Sequence, residues 1–125
     1  SSSAGRTGCP LRSPYVAAKW AAIGLAQTWA MELGPWNIRV NALCPGSVGG
    51  ERIDRVIVRD AKERGVEPEA IRTIYQRQSS LRAFASAEDI AAMVCFLVGP
   101  GGQMISGQTI GIDGHTETLA NWLDP

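Results

Sequence analysis

The chain has 125 residues, with 12 basic and 12 acidic side chains and no net formal charge. This length suits one small domain. The balanced charge argues against a nucleic-acid or membrane-surface partner, because both attract an excess of basic side chains. No apolar run approaches the ~18 residues needed to cross a bilayer. We therefore expect a soluble protein with neither kind of partner.

The thiols and the single imidazole give little sign of metal chemistry. Cys9, Cys44 and Cys95 form no CxxC pair, and an odd number of unpaired thiols is typical of a reduced, cytoplasmic protein. His115 is the only histidine in the sequence. A lone histidine without ligands at suitable spacing does not make a metal site, so we expect none.

The first long element is a helix after a loop. Residues 5–13 contain Gly5, Gly8 and Pro10, which predicts a loop. Ser13 is a good N-cap and Pro14 suits the first helical position. The helix runs through Leu33 and ends at Gly34, where a glycine C′ residue is followed by proline. It is apolar on more than one face, which predicts burial on two sides.

Two polar residues at the start of this helix carry the first hint of chemistry. Tyr15 and Lys19 are four residues apart and share one helix face. An ammonium beside a phenol favours the phenolate and lowers its pKa from the usual ~10, which suits a general acid/base. The alternative is a surface tyrosine and a surface lysine that happen to share a face.

The remainder alternates strands and helices. Residues 38–43 predict a parallel strand buried on both faces, followed by a glycine-rich loop at the carboxyl edge where α/β proteins bind ligands. Residues 51–82 predict two amphipathic helices, the first ending at Gly65 and the second starting near Pro68. A capping box at Ser86 opens a further helix, and residues 109–112 predict a second strand. The order implies a parallel α/β sheet.

Four motifs in order give the sequence a family resemblance. They are Ser-Ser-x-Ala-Gly at residues 1–5, Tyr-x-x-x-Lys at 15–19, Arg-Val-Asn-x-x-x-Pro-Gly at 39–46, and Gly-Gln through Asp-Gly at 107–114. The set resembles the short-chain dehydrogenase/reductase family. The resemblance covers the second half of such an enzyme, so the fold it implies is the C-terminal part of a doubly wound, parallel-sheet Rossmann-type domain.

The resemblance implies an NAD- or NADP-dependent oxidoreductase that interconverts an alcohol and a carbonyl. The implied catalytic set is Ser2, Tyr15 and Lys19, with Ser2 at the end of a central strand. Ser1 or Ser3 takes the place of Ser2 if the register slips. The implied cofactor contacts are Tyr15, Lys19, Pro45, Gly46 and Val48. Gly50 stands where the family usually has a threonine, which removes one expected contact to the cofactor.

The resemblance also divides this partial domain into functional segments. They are an active-site serine loop (1–14), a catalytic helix (15–34), a strand and cofactor loop (38–50), a substrate lid (51–82), a helix and last strand (86–114) and a tail (115–125) with Trp122 packed on the body or on a partner subunit. The candidate substrate contacts are Arg12, Ser47 and Tyr75. Arg12 and the lid arginines hint at an anionic substrate.

The implied partners are a small alcohol or carbonyl compound and further copies of the chain, as a dimer or homotetramer. The isolated segment is expected to be inactive, because the glycine turn that holds a dinucleotide pyrophosphate is not among these residues. The alternative function is a non-catalytic fragment or assembly module descended from such an enzyme.

Overall fold

The computed structural model describes residues 1–116, and the predicted packing of Trp122 lies outside them. The helices are α1 (Ser13–Leu33), α2 (Glu51–Arg64), α3 (Pro68–Arg77) and α4 (Ala87–Val98); the strands are β1 (Ala42–Pro45) and β2 (Thr109–Ile112). Single 3₁₀ turns lie at Ser3–Gly5, Gly34–Trp36 and Pro100–Gly102. None of the helices in the described part of the chain has the length and hydrophobicity needed to cross a membrane.

Both ends of α1 differ from the prediction. Ser13 is the first helical residue rather than the N-cap, because the Val16 N–H donates to the Arg12 carbonyl (2.9 Å) and extends the helix by one residue. Gly34 keeps right-handed helical angles and continues into a 3₁₀ turn. Asn37 instead adopts the left-handed conformation (φ 57°), and its N–H donates to the Gly34 carbonyl at 2.8 Å. Asn is one of the few residues that tolerates this conformation.

The two strands form a parallel pair in which Ala42 lies opposite Thr109 and Pro45 opposite Ile112. The predicted start at residue 38 is therefore too early, and the strand runs further, to Pro45. The α/β class and the parallel sheet are confirmed. Because the strands are parallel, their carboxyl ends lie at the same edge of the sheet.

Residues before β1 are held by another kind of contact. Val40 donates its N–H to Ser106 Oγ (3.1 Å) and accepts from the Gly107 N–H (2.7 Å). The Asn41 amide donates to the Ile105 carbonyl at 2.9 Å. The neighbouring residues 105–107 are irregular. Side-chain hydrogen bonds therefore replace part of the backbone ladder, and residues 38–41 are not a strand.

The serine-rich start forms a 3₁₀ turn at Ser3–Gly5, which the chain enters through Ser2 in an extended conformation. Ser3, Ala4 and Gly5 are all buried, and the Gly5 N–H donates to the Ser2 carbonyl at 2.9 Å. The turn packs against α1 and β1. Its backbone groups are satisfied locally, so a strand ladder is not required there.

The main buried cluster lies between α2 and α3, which we call the lid helices after the segment predicted from the sequence. Ile57 and Ala61 of α2 pack with Ile71 of α3, and each is at most 2% exposed. Tyr75 and Phe84 cover the cluster. As predicted, α2 ends at a glycine in the left-handed conformation and α3 begins at a proline.

Helix α1 packs through one face among residues 1–116. Ala26 is buried, and Ile23 and Ala30 on the same face are half-buried. Helical spacing gathers a second, apolar face, which we call the open stripe: Ala18, Ala22, Leu25 and Trp29. All four of these residues are exposed. The predicted burial of α1 on two sides is thus met on one side within the described residues.

Candidate active site

Tyr15 and Lys19 lie together on the first turns of α1. The Lys19 ammonium sits over the phenol ring, 5.2 Å from its centroid, which is a cation–π distance. Tyr15 is 40% exposed, so its hydroxyl is accessible to a small molecule. A helical turn brings the two side chains together without any constraint from the rest of the chain.

The three serines lie against the same part of α1. The Ser1 hydroxyl donates to the Lys19 carbonyl at 2.7 Å. Ser2 Oγ caps the 3₁₀ turn by accepting the Ala4 N–H at 3.2 Å, and Ser3 is buried. The turn packs on α1, so the chain holds its serines beside the helix that carries Tyr15 and Lys19.

The loop after β1 is fixed against the end of β2 by Gly46. The Gly46 N–H donates to the Ile112 carbonyl at 3.1 Å. A Cβ at Gly46 would lie 2.8 Å from the Asp113 Cβ, so only glycine fits this close approach. The loop that follows Pro45 therefore rests directly on the end of β2.

Val48 has a backbone available for a ligand. It forms an isolated parallel bridge with Ala85, made by the Gly49 N–H to the Ala85 carbonyl (2.8 Å) and the Ala85 N–H to the Ser47 carbonyl (3.0 Å). In such a bridge the flanking residues make the bonds, so the N–H and C=O of Val48 face the opposite side. Gly50 follows with φ 129° and offers no hydroxyl in place of the threonine that the family usually has.

A small, open cleft lies at the carboxyl edge of the sheet. Two of the candidate substrate residues, Ser47 and Tyr75, share its wall although they belong to different segments. Sequence reasoning missed the rest of the wall, of which Asp113 and Thr116 follow β2 directly. That strand end was the available signal. The lining residues are Ser3, Ser47, Tyr75, Gln78, Ser79, Ala83, Phe84, Asp113 and Thr116.

Arg12, the third candidate, acts on Tyr75 through its charge. Burial, followed by the carboxylate of Asp60, raises the pKa of Tyr75 above its usual value. Arg12 opposes this increase, which places its guanidinium within electrostatic range of the phenol. Arg12 itself is exposed and lies outside the wall of the cleft.

Comparisons with known proteins place the chain in a family. The family model described as Enoyl-(Acyl carrier protein) reductase matches residues 1–115. A short-chain dehydrogenase/reductase of Armillaria gallica is 36% identical over 113 residues, which are 90% of this chain and 42% of that protein.

Solved structures match as well. A short chain dehydrogenase family protein from Francisella tularensis superposes with a TM-score of 0.85 at 26% identity, over 90% of this chain and 47% of that one. NAD⁺-bound xylitol dehydrogenase superposes with a TM-score of 0.81 at 30% identity, over 92% of this chain and 46% of that one. The chain thus spans a little less than half the length of these relatives. It belongs to the short-chain dehydrogenase/reductase family.

Proposed function

We propose that a complete enzyme containing this chain is an NAD- or NADP-dependent oxidoreductase that interconverts an alcohol and a carbonyl. The observation that carries the proposal is the Tyr15–Lys19 pair, 5.2 Å from ammonium to ring centroid, on a helix against which the serine turn packs. The family membership and the NAD⁺-bound relative support the choice of a nicotinamide cofactor.

Tyr15, Ser2 and Lys19 each have a separate role in the proposed reaction. When bound, the nicotinamide exchanges a hydride with the substrate carbon. In reduction, Tyr15 gives its phenolic proton to the oxygen on which negative charge develops. Ser2 holds the same oxygen by hydrogen bond. Lys19 favours the phenolate that remains and, as in the family, binds the ribose hydroxyls.

The two tyrosines near the site have different surroundings. Burial, followed by the charge of Asp60, raises the pKa of Tyr75, which makes its hydroxyl a weaker acid. A protonated phenol still serves as a hydrogen-bond donor. Tyr15 instead has the Lys19 ammonium 5.2 Å from its ring centroid. We assign proton transfer to Tyr15 and substrate binding to Tyr75, with Ser47 as a further substrate contact. Arg12 lies outside the wall of the cleft, so it stays a candidate from the sequence alone.

The loop after β1 fits a nicotinamide. The outward-facing N–H and C=O of Val48 suit the donor and acceptor of a carboxamide. Pro45 and Gly46 hold this loop against β2, so the Val48 backbone is fixed in place. Tyr15, Lys19, Pro45, Gly46 and Val48 are therefore the proposed cofactor contacts within the chain.

The rest of the chain supports an assembled, cytoplasmic enzyme. Cys9, Cys44 and Cys95 are all free thiols, which suits a reducing compartment. The open stripe of α1 suits the close approach of a second helix, and we propose that a second copy supplies it in a dimer or tetramer.

Replacing each tyrosine by phenylalanine in the complete enzyme tests this function. Tyr15→Phe removes only a hydroxyl, and kcat should fall ~10²–10⁴-fold. Tyr75→Phe should raise KM and leave kcat within a few-fold. Steady-state rates with a panel of secondary alcohols, using both NAD⁺ and NADP⁺, measure both effects. A Tyr15→Phe enzyme with near-normal kcat excludes the mechanism, and a wild type without any turnover favours a non-catalytic assembly module.

A further inference from the structure

Most of the residues that line the cleft are polar. Among its nine residues only Ala83 and Phe84 are apolar, and the other seven carry hydroxyl, phenol, amide or carboxylate groups. Sites for small molecules are mostly lined by apolar side chains with a few polar ones. The reversed balance here favours a ligand that forms hydrogen bonds with the wall.

One of these hydroxyls faces the cleft without a hydrogen-bond partner among residues 1–116. Ser47 uses its carbonyl to accept the Ala85 N–H, which leaves its hydroxyl to the cleft. An apolar substrate that displaced water from this hydroxyl would leave it unpaired at a cost of ~1–3 kcal/mol, whereas a substrate hydroxyl would replace the lost hydrogen bond.

The lid arginines do not turn the cleft into an anion site. Arg72 pairs with Asp54 and Arg64 pairs with Asp60, each at 2.6 Å. Both pairs join residues of the lid helices, so these cations are already matched by acids. The expectation of an anionic substrate finds no support in this part of the lid.

Among the residues that line the cleft, only Asp113 carries a charge. Arg6 lines a separate, neighbouring cavity. The Asp113 carboxylate would repel a substrate phosphate or carboxylate, and it accepts hydrogen bonds from neutral hydroxyls.

From this wall we infer that the cleft takes a small, uncharged polyhydroxylated substrate, a polyol or the corresponding ketose, with the Ser47 hydroxyl as a specificity-determining contact. The inference rests on the proposed function, because it names the substrate class of the same site. Sites built to hydrogen-bond a substrate hydroxyl discriminate strongly against analogues that lack it.

The test compares xylitol with cyclohexanol as substrates of the complete enzyme. Xylitol should have the higher kcat/KM. Ser47→Ala should lower kcat/KM for xylitol about fivefold to tenfold, as the loss of one neutral hydrogen bond predicts, and change it less than twofold for cyclohexanol. Ser47→Thr keeps a hydroxyl and should retain the preference. Thr73→Ala, on the exposed side of α3, is the matched control and should change neither substrate.

The outcomes separate this inference from the function beneath it. An enzyme that oxidises cyclohexanol as well as xylitol, or loses both equally on Ser47→Ala, overturns the polyol inference and leaves the oxidoreductase standing. A clear preference for a polyol phosphate over the free polyol overturns the assignment to an uncharged substrate. An enzyme that oxidises no alcohol overturns both proposals.

Discussion

The lid helices bury their apolar faces against each other, whereas α1 leaves large apolar side chains exposed. Ile57 and Ile71 place their apolar faces against each other and are 1% exposed. In α1, by contrast, Trp20 and Trp29 remain 51% and 45% exposed. A helix with one apolar face can finish its packing with a single neighbour, whereas a helix that is apolar on several faces needs more cover than residues 1–116 supply to α1. The lid helices therefore pack as a self-contained unit, and α1 leaves apolar surface exposed among these residues.

Ion pairs follow the same division. The lid helices carry Arg72–Asp54 and Arg64–Asp60 at 2.6 Å, and the Arg72 guanidinium also lies 5.9 Å from the Phe84 ring centroid. The open stripe has no charged member. Charges mark the lid surfaces that face water, and their absence from the stripe marks a surface suited to contact with protein.

The largest effect should come from charging the open stripe. We expect Trp29→Glu in the complete enzyme to weaken self-association ~10³-fold, because a carboxylate buried at an interface without a partner costs several kcal/mol and a two-fold interface contains it twice. Light scattering across a dilution series measures this. Thr28→Glu adds the same charge on a neighbouring exposed face and should leave association unchanged. Equal association of wild type and Trp29→Glu would show that a second copy does not cover this stripe.

The next effect tests the lid as a unit. Ile57→Ala should lower the free energy of unfolding by about 2–5 kcal/mol, because it opens a cavity in the buried cluster. Val58→Ala is the matched control: the neighbouring side chain is 56% exposed and should cost far less. Urea unfolding of both variants gives the two values. Similar costs would mean that the cluster is not the main support of the lid.

A smaller effect concerns α4, whose start is determined locally. Ser86 Oγ accepts the Asp89 N–H at 3.0 Å, and Asp89 accepts the Ser86 N–H at 2.8 Å. Ser86→Ala removes one half of this capping box and should lower the free energy of unfolding by about 1 kcal/mol. The shift of the urea midpoint relative to wild type measures it. A stabilised variant would contradict the role of the cap.

The smallest effect is the pH dependence of the same cap. Hydrogen bonds from the Ser86 backbone and side chain lower the pKa of Asp89 below 3.8. A lowered folded-state pKa means that the contribution is present above pH 3.8 and disappears as the pH falls through the folded value. The stability difference between wild type and Asp89→Ala should shrink along this path when unfolding is followed from about pH 6 to 2. A difference that stays constant with pH would argue against the ionised cap.

Local signals in the sequence located the helices well. Gly65, Pro68 and the Ser86–Asp89 box set element boundaries through contacts within a few residues, so the pattern alone sufficed. The ends of α1 differ from the prediction. Arg12 rather than Ser13 is the N-cap, and Asn37 rather than Gly34 adopts the left-handed conformation.

Distant contacts were the part that the sequence could not supply. Residues 38–43 look like a strand, yet the ladder begins at Ala42 because Val40 and Asn41 are engaged by residues 105–108. The cleft has the same character: Ser47 and Tyr75 were identifiable singly, but Ser3 and Thr116 join them only when the chain folds. No local pattern reports a contact between segments so far apart.

The bridge between Val48 and Ala85 has a consequence for how this architecture can diversify. Its two backbone hydrogen bonds join the two ends of residues 49–84, so the lid is an insertion whose ends are held together. Doubling the length of such a loop costs only about 0.6 kcal/mol of closure entropy. The lid can therefore be lengthened, shortened or exchanged while Tyr15, Lys19 and the sheet edge keep their positions. Under the proposed function, substrate range and chemical mechanism would thereby belong to separable parts of one chain.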